Sequence, residues 1–558
     1  MRCSAVQPQA LLLCLSSLCV SSLLAAGCVG DDGSTPSPTP TPDDEPPVVV
    51  DDNHQISPLS CPGGAGCAAS DGRLQAAFHC EVVTPVVEAV TDENGNLQYD
   101  EGEPFVDEDG DNEWDPSHLA GFDIGREALG VHDDIEVCVL VLDQGDVRVG
   151  VVSFDTVGLF HDESIRVRQL VQERDLQFDN VVVATTHNHE APDTMGIWPG
   201  SVGVSGIDEQ WQEELRQSAA ASLELAVAAL IDVNVKHAVT DGGAYIKDTR
   251  LPEVIDPDVH TLQFIDDDDG VVGTWMTYGN HPESLGGSNP LITSDYPGYV
   301  RNRLRERYVG SEVVFTSGPL GGLMAPFEHV LCPDVDDDSV DLCPRGTFER
   351  AETIGHGLAD AAADALDAAA FLDDDTLAFK RAPILLPADN PTFFLAFKLG
   401  MIDRGAFSPE GDYYGPEPLG RLELNEMTDG GWRIGSEVSA LQVGSVVFFT
   451  VPGELYPELW LEDDAGGHFI ERPDNADYPD APFETPLMTL GRQAYPDATL
   501  VMLNNANDAL GYLIPKAQFD RAAPWAYKDN GQYGEQNSLG PDAPSVLLDA
   551  FAALLETP

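Results

Sequence analysis

Two histidines and a glutamate lie close together in the segment VVVATTHNHEAPDTMG, residues 181–196. The first half of this segment is a run of β-branched residues, which predicts a buried strand. Because side chains alternate along a strand, His187 and His189 are predicted to project to the same side. Two imidazoles and the carboxylate of Glu190 are groups that bind zinc. The motif therefore indicates a metal site at a strand end. The alternative is a pair of exposed loop histidines, since H-x-H is short and common.

Three later segments also place polar residues just beyond apolar strands. VVGTWMTYGNH ends in His281, SVVFFTVPGEL contains Glu454, and TLVMLNNANDALGY ends in Tyr512. In α/β proteins, sites lie beyond the carboxyl ends of strands, so these residues are candidates for chemistry. Each also has a structural alternative: a hydrogen-bonded loop histidine, an acid at a helix N-terminus, and a core tyrosine.

Predicted strands alternate with predicted helices through most of the chain. This alternation predicts an α/β fold, in which mixed β-sheets flanked by helices form a single large domain over residues 72–556. Helices are predicted at 162–173, 208–230, 348–370 and 545–555. Strands are predicted at 76–85, 181–186, 259–264, 271–278, 313–316, 446–451 and 499–503, with a hairpin-like pair formed by IEVCVLVL and VRVGVVSF.

The N-terminal segment predicts export. Residues 1–28 combine Arg2, a short apolar run and the ending LLAAGC, which resembles a bacterial lipoprotein signal whose Cys28 becomes lipidated. A Pro-, Thr- and Asp-rich stretch, residues 29–71, then predicts a disordered tether. We therefore expect a cell-envelope lipoprotein at the outer membrane or cell surface, held to the membrane by its lipid anchor. The alternative is plain secretion.

Charge and cysteine content agree with an exported protein. The chain has 28 Lys and Arg against 96 Asp and Glu, a net charge of -68, which excludes nucleic acid as a partner. Six cysteines beyond Cys28 predict disulfides in an oxidising compartment. Proximity favours Cys61–Cys67, Cys80–Cys138 and Cys332–Cys343 among many possible pairings. The sequence does not determine the oligomeric state.

An acidic insertion at residues 90–116 contains two copies of the pattern D-x-[DN]-G-[DN]-x-x-x-D. Oxygen ligands at alternate positions around a glycine turn suit calcium, which makes calcium a second expected cofactor with a structural role. The pattern resembles the calcium loops of thrombospondin type 3 repeats. The alternative is a disordered acidic loop. The candidate ligands are Asp92, Asn94, Asn96, Asp100, Asp107, Asp109, Asp111 and Asp115.

Five segments together resemble the catalytic domain of the neutral/alkaline, non-lysosomal ceramidases. They are VVSFDTVGLF, VVVATTHNHEAPDTMG, YGNHPESLGGSNPLITSDYPGYV, VGSVVFFTVPGELYPELW and LNNANDALGYLIP, and they occur in family order. The family's T-H-T-H-S-G-P motif corresponds here to THNHEAP, residues 186–192. The resemblance implies a ceramidase-like catalytic domain that binds one zinc ion.

Site residues follow from this resemblance position by position. His187, His281, Glu454 and Tyr512 correspond to the family's zinc ligands. His189 then lies beside the metal as a proton-transfer residue, and Arg250, in KDTRLPEVIDP, occupies the place of an arginine that faces the substrate carbonyl. Such a set leaves zinc an open position for water, whose pKa falls to about 7 on binding. The implied activity is zinc-dependent hydrolysis of a linear N-acyl amide, such as a ceramide-like lipid of sphingolipid metabolism.

One position departs from the family. Where the family has a serine in the motif G-[DN]-x-S-P-N, this chain has Ala325, in GGLMAP. An alanine can neither attack a carbonyl nor hydrogen-bond a headgroup, so the substrate and the choice between amide and ester stay open. Two alternatives follow: a zinc esterase or amidase with a non-sphingolipid substrate, and a non-catalytic surface binding protein on this scaffold. The acidic repeats motivate a third alternative, a calcium-dependent structural surface protein.

Overall fold

The computed structural model describes residues 55–64, 72–322, 324–326, 330–333, 340–416, 422, 431–528 and 530–557. The predicted signal segment, Cys28, residues 29–54 and 65–71 of the predicted tether, and Cys67 lie outside the described residues. None of the helices in the described part is both long enough and apolar enough to span a bilayer.

The strands, numbered in chain order, are β1 Leu59–Cys61, β2 Gln75–Val82, β3 Gly130–Val131, β4 Glu136–Gln144, β5 Val147–Phe154, β6 Asn180–Thr185, β7 Ile231–Asp232, β8 Asn234–Asp241, β9 Lys247–Asp248, β10 Asp258–Ile265, β11 Val271–Tyr278, β12 Leu291–Ile292, β13 Glu312–Ser317, β14 Met324–Ala325, β15 Leu331–Pro333, β16 Val340–Leu342, β17 Leu377–Pro387, β18 Ala406–Phe407, β19 Tyr413–Tyr414, β20 Arg433–Val443, β21 Val446–Thr450, β22 Glu454–Leu455, β23 Thr499–Leu503 and β24 Tyr512–Leu513.

The α-helices of the described residues are α1 His161–Glu173, α2 Glu209–Ala228, α3 Asp295–Arg307, α4 Phe348–Ala368, α5 Pro391–Lys398, α6 Pro457–Trp460, α7 Leu487–Ala494 and α8 Ala543–Glu556. Several begin at side-chain caps, as the sequence favours. Asp208 accepts hydrogen bonds from the first backbone N–H groups of α2, and Thr347 does the same for α4.

Three mixed sheets contain most of these strands. Sheet A has the order β6-β5-β4-β2-β7, and sheet B has the order β13-β11-β10-β8. Sheet C has the order β1-β17-β20-β18-β19, and β21 and β23 extend it from β20. Each sheet contains one parallel pair, β5–β6, β11–β13 and β21–β23, among otherwise antiparallel neighbours. The predicted α/β fold with mixed sheets is confirmed.

The apolar core lies between the three sheets, and helices cover their other faces. Leu140 of sheet A, Trp275 of sheet B and Phe448 of sheet C share one buried cluster, in which the Trp275 and Phe448 rings stack at 4.0 Å. Helices α1 and α2 pack on sheet A, α3 and α4 on sheet B, and α5, α7 and α8 on sheet C. Burial on both faces explains why the central strands are almost continuously apolar instead of alternating.

The carboxyl ends of the three parallel pairs meet at one place. The Ser317 hydroxyl at the end of β13 donates to the Thr186 carbonyl just after β6, at 2.8 Å. The Asn504 N–H, just after β23, donates to the Ser317 carbonyl at 2.9 Å. Sheets A, B and C are therefore joined by hydrogen bonds where β6, β13 and β23 end, and the loops that leave this junction carry the candidate site.

The folded region begins earlier than the predicted boundary at residue 72. Strand β1 pairs antiparallel with β17 at the edge of sheet C, with Leu59 opposite Arg381. Part of the predicted tether therefore belongs to the fold, because the free edge of β17 offers backbone partners that composition alone does not reveal.

Two of the predicted disulfides, Cys80–Cys138 and Cys332–Cys343, are confirmed. The first joins neighbouring strands β2 and β4, and the second joins β15 to the segment after β16. Cys61 is also disulfide-bonded. Its predicted partner, Cys67, lies outside the described residues.

Candidate metal centre

His187 leaves sheet A through a tight turn and not as part of a strand. Strand β6 ends at Thr185, and His187 has φ 62°, in the left-handed region that non-glycine residues rarely adopt. His187 and His189 do lie close together, but the predicted cause, strand alternation, was wrong, because β6 ends before both residues. The turn directs the His187 ring into the junction of the sheets, and such local strain is typical of functional sites.

The orientation of the His187 ring is set by the backbone. Its Nδ1 lies 2.5 Å from the Val157 carbonyl oxygen. A carbonyl can only accept, so Nδ1 carries the proton and the lone pair is on Nε2. That nitrogen lies 3.7 Å from Glu454 Oε2. A metal-ligating histidine commonly has this arrangement, in which the second ring nitrogen donates to a carbonyl.

Glu454 and Tyr512 are brought side by side by a short parallel ladder. Strands β22 and β24 pair with Glu454 opposite Tyr512, and the Glu454 N–H donates to the Gly511 carbonyl at 2.9 Å. The Tyr512 hydroxyl hydrogen-bonds the Glu454 carboxylate. Two residues far apart in sequence therefore form one unit of the site.

His281 and His189 complete the group of donors. His281 Nε2 lies 3.2 Å from Glu454 Oε2. One ring nitrogen from each of His187, His189 and His281 lies within 4.8 Å of the others, and all three residues are buried. We call His187, His189, His281 and Glu454 the donor cluster.

The donor cluster fits a divalent cation such as zinc. Ligands about 2.0–2.2 Å from a tetrahedral zinc ion lie roughly 3.3–3.6 Å apart. The contacts of Glu454 with His281, at 3.2 Å, and with His187, at 3.7 Å, bracket this spacing. Both ring nitrogens of the buried His189 lack a hydrogen-bond partner among the described residues. Buried polar atoms are nearly always paired, so the cluster has the properties of an ion site.

Electrostatics favour the protonation states that metal binding needs. Burial lowers the pKa of His187 to about 4, and it lowers that of His189 well below its usual value. Burial alone would raise the pKa of Glu454, but His187, His281 and the Tyr512 hydrogen bond outweigh it and hold that pKa below its ordinary range. At neutral pH the imidazoles of His187 and His189 are therefore neutral and Glu454 is charged.

Arg250 is held by an acid and a carbonyl from the C-terminal part of the chain. Its guanidinium pairs with the Glu535 carboxylate at 2.7 and 3.1 Å and donates to the Tyr533 carbonyl at 2.7 Å. It also lies 5.3 Å from the Tyr456 ring centre, and that ring is 5.9 Å from the ring of Tyr512. Arg250 is thus separated from the Tyr512 ring by Tyr456. Its role toward a substrate, like that of His189 in proton transfer, stays a prediction.

Ala325, at the position of the family's serine, belongs to β14, where it pairs with Lys247 of β9. An alanine at this position means that β14 offers no hydroxyl where the family has one. Ser317, which lies nearby in sequence, donates to the Thr186 carbonyl at the sheet junction. Its hydroxyl is therefore committed to the backbone and does not replace the missing serine.

The two acidic repeats differ in how their oxygens are used. In the first copy, Asp92 accepts the backbone N–H groups of Gly95 and Leu97 at 2.6 and 2.9 Å, while Asn94 and Asn96 donate to Asp100. In the second copy, carboxylates of different residues approach one another. The groups that lie within reach of a common ion are Glu88 with Asp107 and Asp109, and Asp109 with Asp111 and Asp115.

Sequence patterns missed several residues that shape these sites. Glu283, two residues after His281, lies 3.7 Å from His189 Nδ1 through its Oε2. Glu88, which precedes the acidic repeats, joins the second copy. Gly121 packs so closely on the His189 ring that a Cβ there would lie 2.4 Å from its Cγ. Glu283 could have been identified from the sequence, because it lies two residues after His281 in HPES. The contacts of Glu88 and Gly121 arise only from tertiary folding.

Comparisons with known proteins point to one family. No family model matches the chain. The neutral ceramidase of Drosophila melanogaster is 23% identical over 282 residues, which cover 43% of this chain and 40% of that protein. The chain thus matches well under half of that relative's length.

Solved structures show the same likeness. The crystal structure of neutral ceramidase from Pseudomonas aeruginosa aligns with a TM-score of 0.58 and 15% identity, over 87% of this chain and 75% of that one. A structure of ceramidase complexed with C2 aligns with the same values. The resemblance read from the motifs is confirmed: the chain has the neutral ceramidase fold and is a remote homologue of these proteins.

Proposed function

We propose that this protein is a zinc-dependent hydrolase of N-acyl amides. The observation that carries the proposal is the convergence of His187, His281 and Glu454 at distances suited to one cation. Tyr512 adjoins them through its hydrogen bond to Glu454. The fold of the neutral ceramidases, whose name denotes cleavage of ceramide, supports the same reaction class.

The chain's own residues prepare this site in three ways. Val157 fixes the His187 ring so that the Nε2 lone pair faces Glu454. Tyr512 holds the Glu454 carboxylate in place. Burial keeps the His187 imidazole unprotonated, so its Nε2 is available as a ligand at neutral pH. Zinc held by such a set polarises a carbonyl and lowers the pKa of water, which is the chemistry that amide hydrolysis needs.

Metal analysis combined with an amide panel tests this function. We expect zinc in the purified wild type, at least one equivalent less in His281→Ala, and hydrolysis of some fatty-acyl amides by the wild type only. Loss of activity should exceed the 10–100-fold effect typical of residues that merely support a ligand. His356→Ala is the matched control, since His356 is a partly exposed histidine on α4. A zinc-free, active wild type would contradict the proposal.

A second candidate is a binding protein on the same scaffold, which Ala325 motivates. It predicts zinc without turnover across amides and esters. Ala325→Ser, which restores a hydroxyl to β14, tests whether the missing serine limits ceramide hydrolysis. A large gain in ceramide hydrolysis would indicate that the natural substrate lacks the headgroup that the family's serine contacts. Turnover of a non-sphingolipid amide or ester by the wild type would exclude the binding role.

We propose a structural calcium site in the second acidic repeat. Its support is the approach of carboxylates from Asp109, Asp111 and Asp115 and from Glu88. Mutual repulsion of such charges is relieved by a hard cation with oxygen ligands. Calcium should raise the melting temperature of the wild type but not of Asp111→Asn, while Asp92→Asn should still respond. An unchanged wild-type melting temperature at millimolar calcium would contradict the site.

We also propose that the protein is exported and lipidated at Cys28, which anchors it to the membrane. Disulfides within the folded domain support an oxidising compartment. The test is metabolic labelling with a fatty acid, followed by fractionation. Wild type should carry the label in the envelope fraction, and Cys28→Ser should lack it. An unlabelled wild type that is released into the medium would favour plain secretion.

A further inference from the structure

His189 is a buried side chain whose ring nitrogens make no hydrogen bond to any residue that the structure describes. The residue is 7% exposed, and within the described ranges both Nδ1 and Nε2 are unpaired. His187 differs, because its Nδ1 is bound to the Val157 carbonyl. A neutral imidazole left unpaired in the interior loses its hydration without compensation. The two free nitrogens of His189 therefore indicate a missing ligand.

Glu283 stands beside this ring. Its Oε2 lies 3.7 Å from His189 Nδ1, and its side chain is 12% exposed. The backbone holds the pair together: the His189 N–H donates to the Pro282 carbonyl at 3.1 Å, and the Glu283 N–H donates to the His281 carbonyl at 2.9 Å. The approach of the two side chains is thus set by the loop itself.

The distance between His189 and Glu283 equals the distance between His187 and Glu454. His187 Nε2 and Glu454 Oε2 are also 3.7 Å apart, close to the roughly 3.3–3.6 Å expected for two ligands of one zinc ion. His187, His281 and Glu454, with Tyr512 adjacent, already supply a normal number of ligands for one ion. His189 and Glu283 are an additional imidazole and carboxylate within the same region.

The other acids close to this centre have their own contacts. Glu190 is bound by the Arg126 guanidinium at 2.6 Å. Glu454 contacts His281 at 3.2 Å and His187 at 3.7 Å. Glu283 is instead placed against His189.

We propose that His189 and Glu283 hold a second divalent cation next to the one bound by His187, His281 and Glu454. The proposal rests on the metal centre of the proposed function. Two adjacent metal ions stabilise both the attacking and the leaving atoms of a hydrolysis. A ring nitrogen that binds a cation cannot also carry a proton, so this assignment competes with the predicted proton-transfer role of His189.

Zinc stoichiometry tests the proposal directly. Metal-free full-length protein is titrated with zinc chloride by calorimetry, and bound zinc is measured by elemental analysis after dialysis. Wild type should bind two zinc ions at the centre, and Glu283→Gln and His189→Gln should each bind one. Glu458→Gln is the matched control, because Glu458 is a buried glutamate of α6 that belongs neither to the donor cluster nor to the His189–Glu283 pair, and it should bind two. Circular dichroism verifies that each variant is folded.

The outcomes separate this inference from the proposed function. One zinc in an active wild type would overturn the second ion and leave the hydrolase. Two zinc ions in both Glu283→Gln and His189→Gln would also overturn it. Two in the wild type, one in each variant and no amide turnover would uphold the second ion and reject the hydrolase. Loss of activity in His189→Gln with two ions still bound would favour proton transfer instead.

Discussion

At the scale of single residues, the candidate centre depends on side chains whose orientation is set by close neighbours. The Val157 carbonyl orients His187, and Tyr512 orients Glu454. His189 is the exception, because its ring is positioned by packing and makes no hydrogen bond to a described residue. Its ring makes an edge contact with Phe122 at 5.1 Å and lies against the backbone of Gly121. Metal affinity should therefore be sensitive to the size of residue 121.

Gly121→Ala should displace the His189 ring. The new Cβ would lie 2.4 Å from the His189 Cγ, and the glycine has φ 92°, so the backbone also resists the substitution. We expect zinc bound per chain to fall and the melting temperature to drop. Gly203→Ala is the matched control, since Gly203 has φ 90° and a Cβ there would meet no atom of the described residues within 4 Å. Equal losses in both variants would show that backbone strain, and not contact with His189, is responsible.

At the scale of secondary-structure elements, α1 joins two sheets through one buried arginine. Arg168 donates to the Val181 carbonyl of β6 at 2.9 Å and pairs with Glu437 of β20 at 2.5 and 2.9 Å. It also donates to the Asn507 side chain at 3.1 Å, in the loop that follows β23. The helix, sheets A and C, and the loop that leads to Tyr512 are thus connected at one point.

Arg168→Met should destabilise the fold strongly. It leaves the fully buried Glu437 without its cation, and breaking a buried pair typically costs about 3–5 kcal/mol. Replacing both partners, as Arg168→Met with Glu437→Leu, should recover part of that loss. Unfolding in urea measures both effects. A double variant less stable than the single one would contradict the explanation by uncompensated charge.

A stacked histidine pair on sheet B should make stability depend on pH. His237 of β8 and His260 of β10 stack with ring centres 5.6 Å apart. Burial lowers the pKa of His237 to about 4 and of His260, with help from His237, to about 3. The unfolded chain takes up protons near pH 6.5, whereas the folded chain does not. The pair's contribution is therefore fully present above pH 6.5 and is lost as the pH falls.

His260→Leu should weaken this dependence. Between pH 7 and 5 the wild type should lose roughly 2 kcal/mol through this ring, and the variant should not. Urea unfolding at several pH values measures the difference in slope. His356→Leu serves as control, because that ring on α4 is 38% exposed. Identical slopes in wild type and His260→Leu would contradict the assignment.

At the scale of the whole molecule, charge opposes folding. A net charge of -68 on 558 residues means that compaction brings like charges together. Many of the acids lie on the surface, including the two acidic repeats, most of whose residues are exposed. Repulsion between exposed charges is screened within about 10 Å at 0.1 M salt. The stability of this protein should therefore increase with ionic strength.

Sodium chloride should raise the melting temperature of the full-length protein by several degrees between about 0.02 and 0.5 M. Screening weakens repulsion more in the compact state, where the charges are closer. The measurement is a thermal scan in a buffer free of divalent cations, so that calcium binding does not contribute. A melting temperature that falls with salt would indicate that attractive ion pairs outweigh the repulsion.

The sequence by itself determined the fold class, the relationship to the ceramidases and the residue types of the site. These features are local, or they are visible in the sequence as short motifs, such as the strand preceding His187 and the PGEL segment around Glu454. The predicted strands at 271–278 and 499–503 coincide with β11 and β23. Strands β17 and β20 and helix α3 were missed, because their weak local patterns are stabilised by long-range pairing and packing.

Tertiary structure alone decided how the site is assembled. No local pattern indicates that His187 needs a left-handed turn, that Arg250 pairs with Glu535, or that Glu283 stands beside His189. The two pairs join segments far apart in sequence, so they exist only once the chain has folded. Sequence specifies which donors are present, whereas their distances depend on the packing of sheets A, B and C, since that packing sets where each loop begins.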